Sequence, residues 1–230
     1  MFANYDFDVI WRSLPYLFYQ GMTFTLLLTA LATFGGIVIG TLLALMRLSS
    51  TAVLTLPAAA YVNLMRSVPF VLMIFWFYFL VPYIGQWITR SAQPLQVGAF
   101  ASCLVTFTLF EAAFFCEIMR AGIQSIPRGQ MAAAQALGMT YPTTMGYIVL
   151  PQAFRNMVPV LLTQTIILFQ DTSLVYVISV TDFLGAASKV AERDGRLVEM
   201  YTFAAVVYFV ISLAASRTVA HLQRRIAIIR

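Results

Sequence analysis

The 230-residue sequence predicts an all-α membrane protein with about five transmembrane helices, and two observations carry that expectation. Hydrophobic residues make up 61% of the chain and charged ones 10%, against about 25% charged in soluble domains. Apolar runs long enough for a hydrocarbon core of about 30 Å recur near 22–46, 56–81, 97–119, 157–180 and 200–220. Helices are the form left to such runs, because an open sheet leaves backbone groups unsatisfied in lipid. A single transmembrane domain over 1–230 is expected, with no separate soluble domain.

The elements follow in order. Residues 1–20, MFANYDFDVIWRSLPYLFYQ, carry Asp6 and Asp8 where a secretory signal needs a basic region. They read as an interfacial helix with Trp11 and Tyr16 at headgroup level, leading into the first span. The second run, 56–81, is interrupted by Arg66 and Pro69. Its aromatic stretch Phe75-Trp76-Phe77-Tyr78-Phe79 circles the helix near the outer end, so most rings face lipid or a partner. Cys103 and Cys116 share the third run. Thirteen residues apart on one helix, they lie about 20 Å from each other and cannot pair.

The connection 120–159, RAGIQSIPRGQMAAAQALGMTYPTTMGYIVLPQAFRNMVP, is the informative stretch. Ile126-Pro127-Arg128-Gly129 ends the third helix, and Gln130–Leu137 is a run of good helix formers closed by Gly138. Pro142 and Pro151 bracket room for a further short helix. A short helix between breakers, on a face without acids, suits docking into a partner's groove. The alternative is a plain connecting loop, although about 40 residues exceeds what a passive link needs.

Lys and Arg set the orientation. With five spans, Arg47, Arg120, Arg128, Arg155, Arg217, Arg224, Arg225 and Arg230 share one side with no acid. Arg12, Arg90, Lys189, Arg193 and Arg196 lie opposite, among Asp6, Asp8, Asp182, Glu192, Asp194 and Glu199. The bias places the N-terminus outside, and the 120–156 loop and the C-terminus in the cytoplasm. His221 stands alone, so no metal site is expected. GGIVIGT, 35–41, lacks the Gly-Lys-Ser/Thr of a phosphate loop. Neither nucleotide hydrolysis, a cofactor nor a nucleic-acid partner is expected of the chain itself.

Ala133-Ala134, Gly138, then nine residues to Ile148-Val149-Leu150-Pro151, resembles the E-A-A-x3-G-x9-I-x-L-P loop of binding-protein-dependent ABC importer permeases. Ala132 stands where that pattern has glutamate. Tyr61–Pro69 is similar to the Y-V-x3-R-x-x-P of the polar amino-acid permeases, and Glu117–Gln130 to their E-I-x-R-x-G-I-x-S-I-x-x-G-Q. Asp171–Leu174 resembles their Lys-Asp-Thr-Ser-Leu, with Gln170 in the lysine's place. Within the family, the combination with ERDG and VEM most resembles the permease subunits for glutamate and aspartate. The resemblance implies a type I ABC importer permease in a bacterial inner membrane. It further implies a cytoplasmic ABC ATPase homodimer, a second homologous permease subunit and an external amino-acid-binding protein. Gly129, Gln130, Ala132, Ala133, Ala134, Gly138, Leu150 and Pro151 would carry the coupling to the ATPase.

Arg66, Glu111, Glu117 and Asp171 are ionisable residues within or near the apolar runs. A carboxylate at mid-membrane costs about 2.5–3.5 kcal/mol on insertion scales. One reading makes these groups substrate ligands: Asp171, with the hydroxyls of Thr172 and Ser173, takes an ammonium, and Arg66, beside Ser67, takes a carboxylate. Consecutive positions spread over several helix faces, so Asp171, Thr172 and Ser173 cannot share a pocket without local unwinding. The other reading pairs Arg66, Glu117 and Asp171 with one another to make burial tolerable. Glu111, about 120° around the helix from Glu117, is expected to pack rather than bind. Two further function classes are a self-sufficient carrier or channel, against which no internal repeat is evident, and a membrane-embedded enzyme, for which no nucleophile–base pair is present.

Overall fold

The computed structural model describes residues 5–226; residues 1–4 of the expected interfacial helix and Arg230 lie outside them. Among the described residues all regular structure is helical. Eleven α-helices run in order: α1 Phe7–Tyr16, α2 Thr23–Leu48, α3 Ala52–Ser67, α4 Phe70–Phe75, α5 Val81–Thr89, α6 Ala99–Gln124, α7 Arg128–Ala136, α8 Tyr141–Thr144, α9 Leu150–Asp171, α10 Phe183–Asp194 and α11 Leu197–Ile226. Wide π-type turns at Leu17–Met22, Trp76–Leu80 and Met145–Val149 join neighbouring helices, and a 3₁₀ segment, Thr172–Ile178, continues α9. Five stretches are long and apolar enough to cross a bilayer: Phe7–Leu48, Phe70–Thr89, Ala99–Gln124, Tyr141–Ile178 and Leu197–Ile226.

The spans differ from the sequence expectation where proline acts. The run 56–81 is two elements, because Pro69 excludes helical backbone at the residue before it. Helix α3 therefore stops at Ser67, and the second span is Phe70–Thr89, with Pro69 at the start of α4. That shift places Phe75–Phe79 in the first half of the span rather than near its end, the position expected for them. Pro151, expected to punctuate, sits inside a continuous helical stretch. The wide turn Met145–Val149 just before it relieves the clash of a proline ring with the preceding carbonyls. Helix α1 leads, as expected, through Leu17–Met22 into α2.

Two compact units divide the chain, 1–34, 68–108 and 166–215 in one, 35–67, 109–165 and 216–230 in the other. In the first, Val9, Leu17, Phe183, Ala187 and Met200 form a core joining α1, α10 and α11. Gly21 lets the chain approach α10, where a Cβ would sit 2.9 Å from Ala186 Cβ. A second core packs Leu28, Ile74, Phe107, Leu168 and Val175. In the other unit, Ala44, Val62, Ala113, Cys116 and Met119 pack together, with Met157 and Leu161 of α9 against them. There α2 and α6 meet backbone to backbone: a Cβ on Gly40 would lie 2.8 Å from Phe115 Cβ and 2.9 Å from the Ala112 carbonyl oxygen. Small residues permit that approach, which is how helices associate in lipid.

Candidate functional site

Glu117 sits on α6, and three arginines converge on it. Arg47, in the last turn of α2, donates from Nη1 to Glu117 Oε1. Arg120, one turn along α6, donates from Nη2 and Nε to Oε2 at 2.7 and 3.1 Å, and from Nη1 to Gln124 Oε1 at 2.7 Å. Arg66, at the end of α3, brings Nη1 to 4.0 Å from Oε1 and lies over the Phe114 ring, 5.4 Å from its centroid. One carboxylate therefore faces three guanidiniums, a surplus of two positive charges.

Arg66 is the most exposed of the three, at 46% of its side chain against 17% for Arg47 and 29% for Arg120. It lines a cavity of about 420 Å³ with Glu117, Ala121, Gly122, Ser125 and Asn156. The volume falls within the about 300–1,000 Å³ of small-molecule sites. Gly122 keeps this wall low, since a Cβ there would reach 3.0 Å from Met157 Cβ. Ser67 is exposed and donates to the Asn63 carbonyl at 2.6 Å.

Asp171 belongs to the other unit, at the end of α9, half-buried. Among the described residues no hydrogen bond or ion pair reaches its carboxylate. The helix tightens to 3₁₀ from Thr172 onward, where consecutive residues lie about 120° apart, so Asp171, Thr172 and Ser173 still face different surroundings, as expected. Thr172 is buried and donates to the Phe169 carbonyl at 2.7 Å. Ser173 lines a separate cavity of about 270 Å³ with Gln170, Tyr201 and Tyr208. The helical path ends at Ser179, whose φ of +61° is left-handed.

Glu111 is fully buried and accepts from Gln164 Nε2 at 3.0 Å, a packing contact between α6 and α9. Asp182 is also buried and caps α10, accepting from the Gly185 and Leu184 N–H groups at 2.8 and 3.0 Å. Burial pushes its carboxyl up to about 6, against the lowering by those two N–H groups. Sequence reading missed Arg47 and Arg120 as partners of Glu117, counting both only as orientation charges. The i,i+3 spacing of Glu117 and Arg120 was a readable signal; nothing local pointed to Arg47.

The short helix expected between the breakers is present as α7, with Ala132 and Ala133 exposed and Ala134 buried. Gly129 and Gln130 lie in its first turn, exposed. Gly138 ends it with φ +77°, its N–H donating to the Gln135 carbonyl at 2.9 Å while Met139 N–H reaches Ala134 at 3.1 Å. Leu137, Tyr147, Leu150 and Pro151 are exposed beyond it.

Comparison with known proteins completes the description. Residues 36–228 match the family described as binding-protein-dependent transport system inner membrane component. The glutamate/aspartate import permease protein GltK of Escherichia coli O6:H1 is 54% identical over 224 residues, 97% of this chain and 99% of its own. The glutamine transport system permease protein GlnP of Escherichia coli K12 is 31% identical over 98% of this chain and 100% of its own. Among solved structures, an amino acid ABC transporter with histidines superposes with TM-score 0.85 at 32% identity, over 96% of this chain and 98% of the other. The MetNI methionine ABC transporter, at 21% identity and TM-score 0.72 over 93% and 97%, shares the fold.

Proposed function

The chain belongs to the binding-protein-dependent inner-membrane transport components and is a permease subunit of an ABC amino-acid importer, and on that premise we propose that it passes glutamate or aspartate. The observation that carries the choice is the charge surplus at Glu117, whose most exposed guanidinium, Arg66, lines an open cavity. Arg66 presents its planar fork to a substrate carboxylate, a geometry an ammonium donor cannot reproduce. Asn156 and Ser125 add polar contacts on the same cavity wall. Asp171, in the other unit, is a separate proposed contact for a substrate ammonium: it is an intramembrane carboxylate with no cation partner among the described residues.

The proposal includes the assembly. A cytoplasmic ATPase homodimer docks on α7, whose alanine face and exposed Leu137 and Tyr141 offer an apolar surface without acids. A second permease subunit covers exposed apolar helix faces such as Leu42, Phe34 and Val210, and an external binding protein delivers the amino acid. The N-terminus then lies outside, α7 and the C-terminus in the cytoplasm, and ATP hydrolysis belongs to the partner.

Uptake of labelled glutamate by the reconstituted complex tests the site. Arg66→Gln is expected to lower it at least about tenfold, the weight of one lost charged hydrogen bond of about 1.5–3 kcal/mol, with assembly intact and Arg66→Lys between the two. Asp171→Asn is expected to keep basal ATPase activity and lose the binding-protein-stimulated part. Unchanged uptake in both variants overturns the residue assignments.

A further inference from the structure

The unit that holds Arg66 has a second and larger cavity, about 610 Å³, with a different chemistry. Its polar lining comes from Gln130 on α7, Gln152, Arg155 and Asn156 on α9, Gln223 on α11, and Ser125. Arg155 is the single ionisable group of that lining, so among the described residues the lining carries one positive charge and no carboxylate. Among the described residues no hydrogen bond or ion pair reaches its guanidinium. Gln152 donates to the Ile148 carbonyl at 2.7 Å and Asn156 to Ser125 Oγ at 2.9 Å, and among the described residues no protein donor reaches their amide oxygens.

We propose that this cavity binds a dicarboxylic amino acid from the side on which α7 lies, and that occupancy slows transport. The inference rests on the substrate reading above. The guanidinium takes one carboxylate in bidentate fashion, and the amide N–H groups of Gln130 and Gln223 take the second. The amide oxygens accept the ammonium. The net charge of minus one on glutamate or aspartate matches the single cation. A phosphate group takes donors alone and makes no use of those amide oxygens, so it engages less of this lining. A neutral amino acid such as glutamine can pair its α-carboxylate with Arg155 but leaves the occupied pocket with a net positive charge.

The placement turns binding into regulation. An occupant bridges the first turn of α7 to α9 and α11, and so fixes the ATPase-docking helix to the spans it has to move against. A ligand shifts a conformational equilibrium only by its differential affinity, and one that ties three elements in a single arrangement favours that arrangement. The imported product would thus restrain its own entry from the cytoplasmic side.

The test uses the complete complex in phosphatidylcholine vesicles loaded with ATP and either buffer, millimolar glutamate or millimolar glutamine, with binding protein and labelled glutamate outside. Internal glutamate is expected to lower binding-protein-stimulated hydrolysis about fivefold or more, and glutamine to leave it unchanged. Arg155→Gln is expected to keep uptake into buffer-loaded vesicles and abolish the effect of internal glutamate. If that variant does not assemble, Gln223→Leu takes its place with the same expectation. Hydrolysis that ignores internal glutamate in the wild type, or inhibition that persists in Arg155→Gln, overturns the site while leaving glutamate import standing. Arg155-dependent inhibition that follows added phosphatidylglycerol instead of glutamate overturns it in favour of a lipid headgroup. Absence of glutamate uptake under every condition overturns the substrate reading, and the site with it.

Discussion

Glu117 shows how one residue governs a charged cluster inside an apolar chain. Removing its charge strands Arg47, Arg120 and Arg66, so Glu117→Gln is expected to destabilise the solubilised protein by about 3 kcal/mol. That is the low end for a broken buried pair, since Glu117 keeps 18% of its side chain exposed. Glu117→Gln combined with Arg47→Gln should recover part of the lost melting temperature, because one stranded cation goes with it; no recovery would mean that the carboxylate acts otherwise. Asp182 gives a pH signature. Its carboxyl is raised from the ordinary 3.8 to about 6 by burial, so the folded chain holds the proton more tightly than the unfolded one. The linked stability is complete below 3.8 and is lost as pH rises through about 6. Melting followed from pH 4 to 7 should therefore show a fall that Asp182→Asn, which retains an acceptor for the cap, removes.

At the scale of elements, glycine and proline decide where helices stop and how closely they meet. Gly138 is left-handed at φ +77° with open space around it, so a side chain there meets strain rather than collision. Gly138→Ala should cost α7 about 1 kcal/mol, and Gly138→Asp adds a charge beside the proposed docking surface. The expected outcome for Gly138→Asp is normal membrane insertion with ATP hydrolysis uncoupled from uptake, read in vesicles; normal uptake would remove α7 from the coupling role. Gly40 is the opposite case, crowded by Phe115 and the Ala112 carbonyl. Gly40→Leu should separate α2 from α6 and abolish stable expression, while Gly129→Leu, with nothing within 4 Å of its Cβ, should insert normally; equal expression of the two variants would refute the close-packing account.

For the whole molecule, exposed apolar side chains along the helices, Phe34, Leu42, Phe154 and Phe209 among them, form apolar faces suited to lipid and to the proposed partner subunit. Expressed alone in vesicles, the chain is expected neither to hydrolyse ATP nor to move glutamate down a gradient. The sequence motivates this, since GGIVIGT lacks a phosphate-loop lysine and falls within α2. Saturable glutamate flux by the lone subunit would instead establish a self-sufficient carrier.

The sequence by itself determined what depends on composition and local chemistry. Apolar runs set five membrane helices, Pro127 and Gly138 set the limits of α7, and the spacing from Ala133 to Pro151 identified the family. Its errors came where one proline's effect depended on its surroundings: Pro69 split a run, whereas Pro151 was absorbed by a wide turn. The ion pairs were decided by tertiary structure alone. Arg47 and Glu117 lie seventy positions apart, and only the close packing of α2 on α6 through Gly36 and Gly40 brings them together. Arg155 has the same history: in sequence it is one more positive charge, and it becomes a candidate ligand only because residues of α7, α9 and α11 line an open polar cavity with it. Long-range pairing of charges depends on which helix faces meet, and periodicity along one helix carries no record of its neighbour.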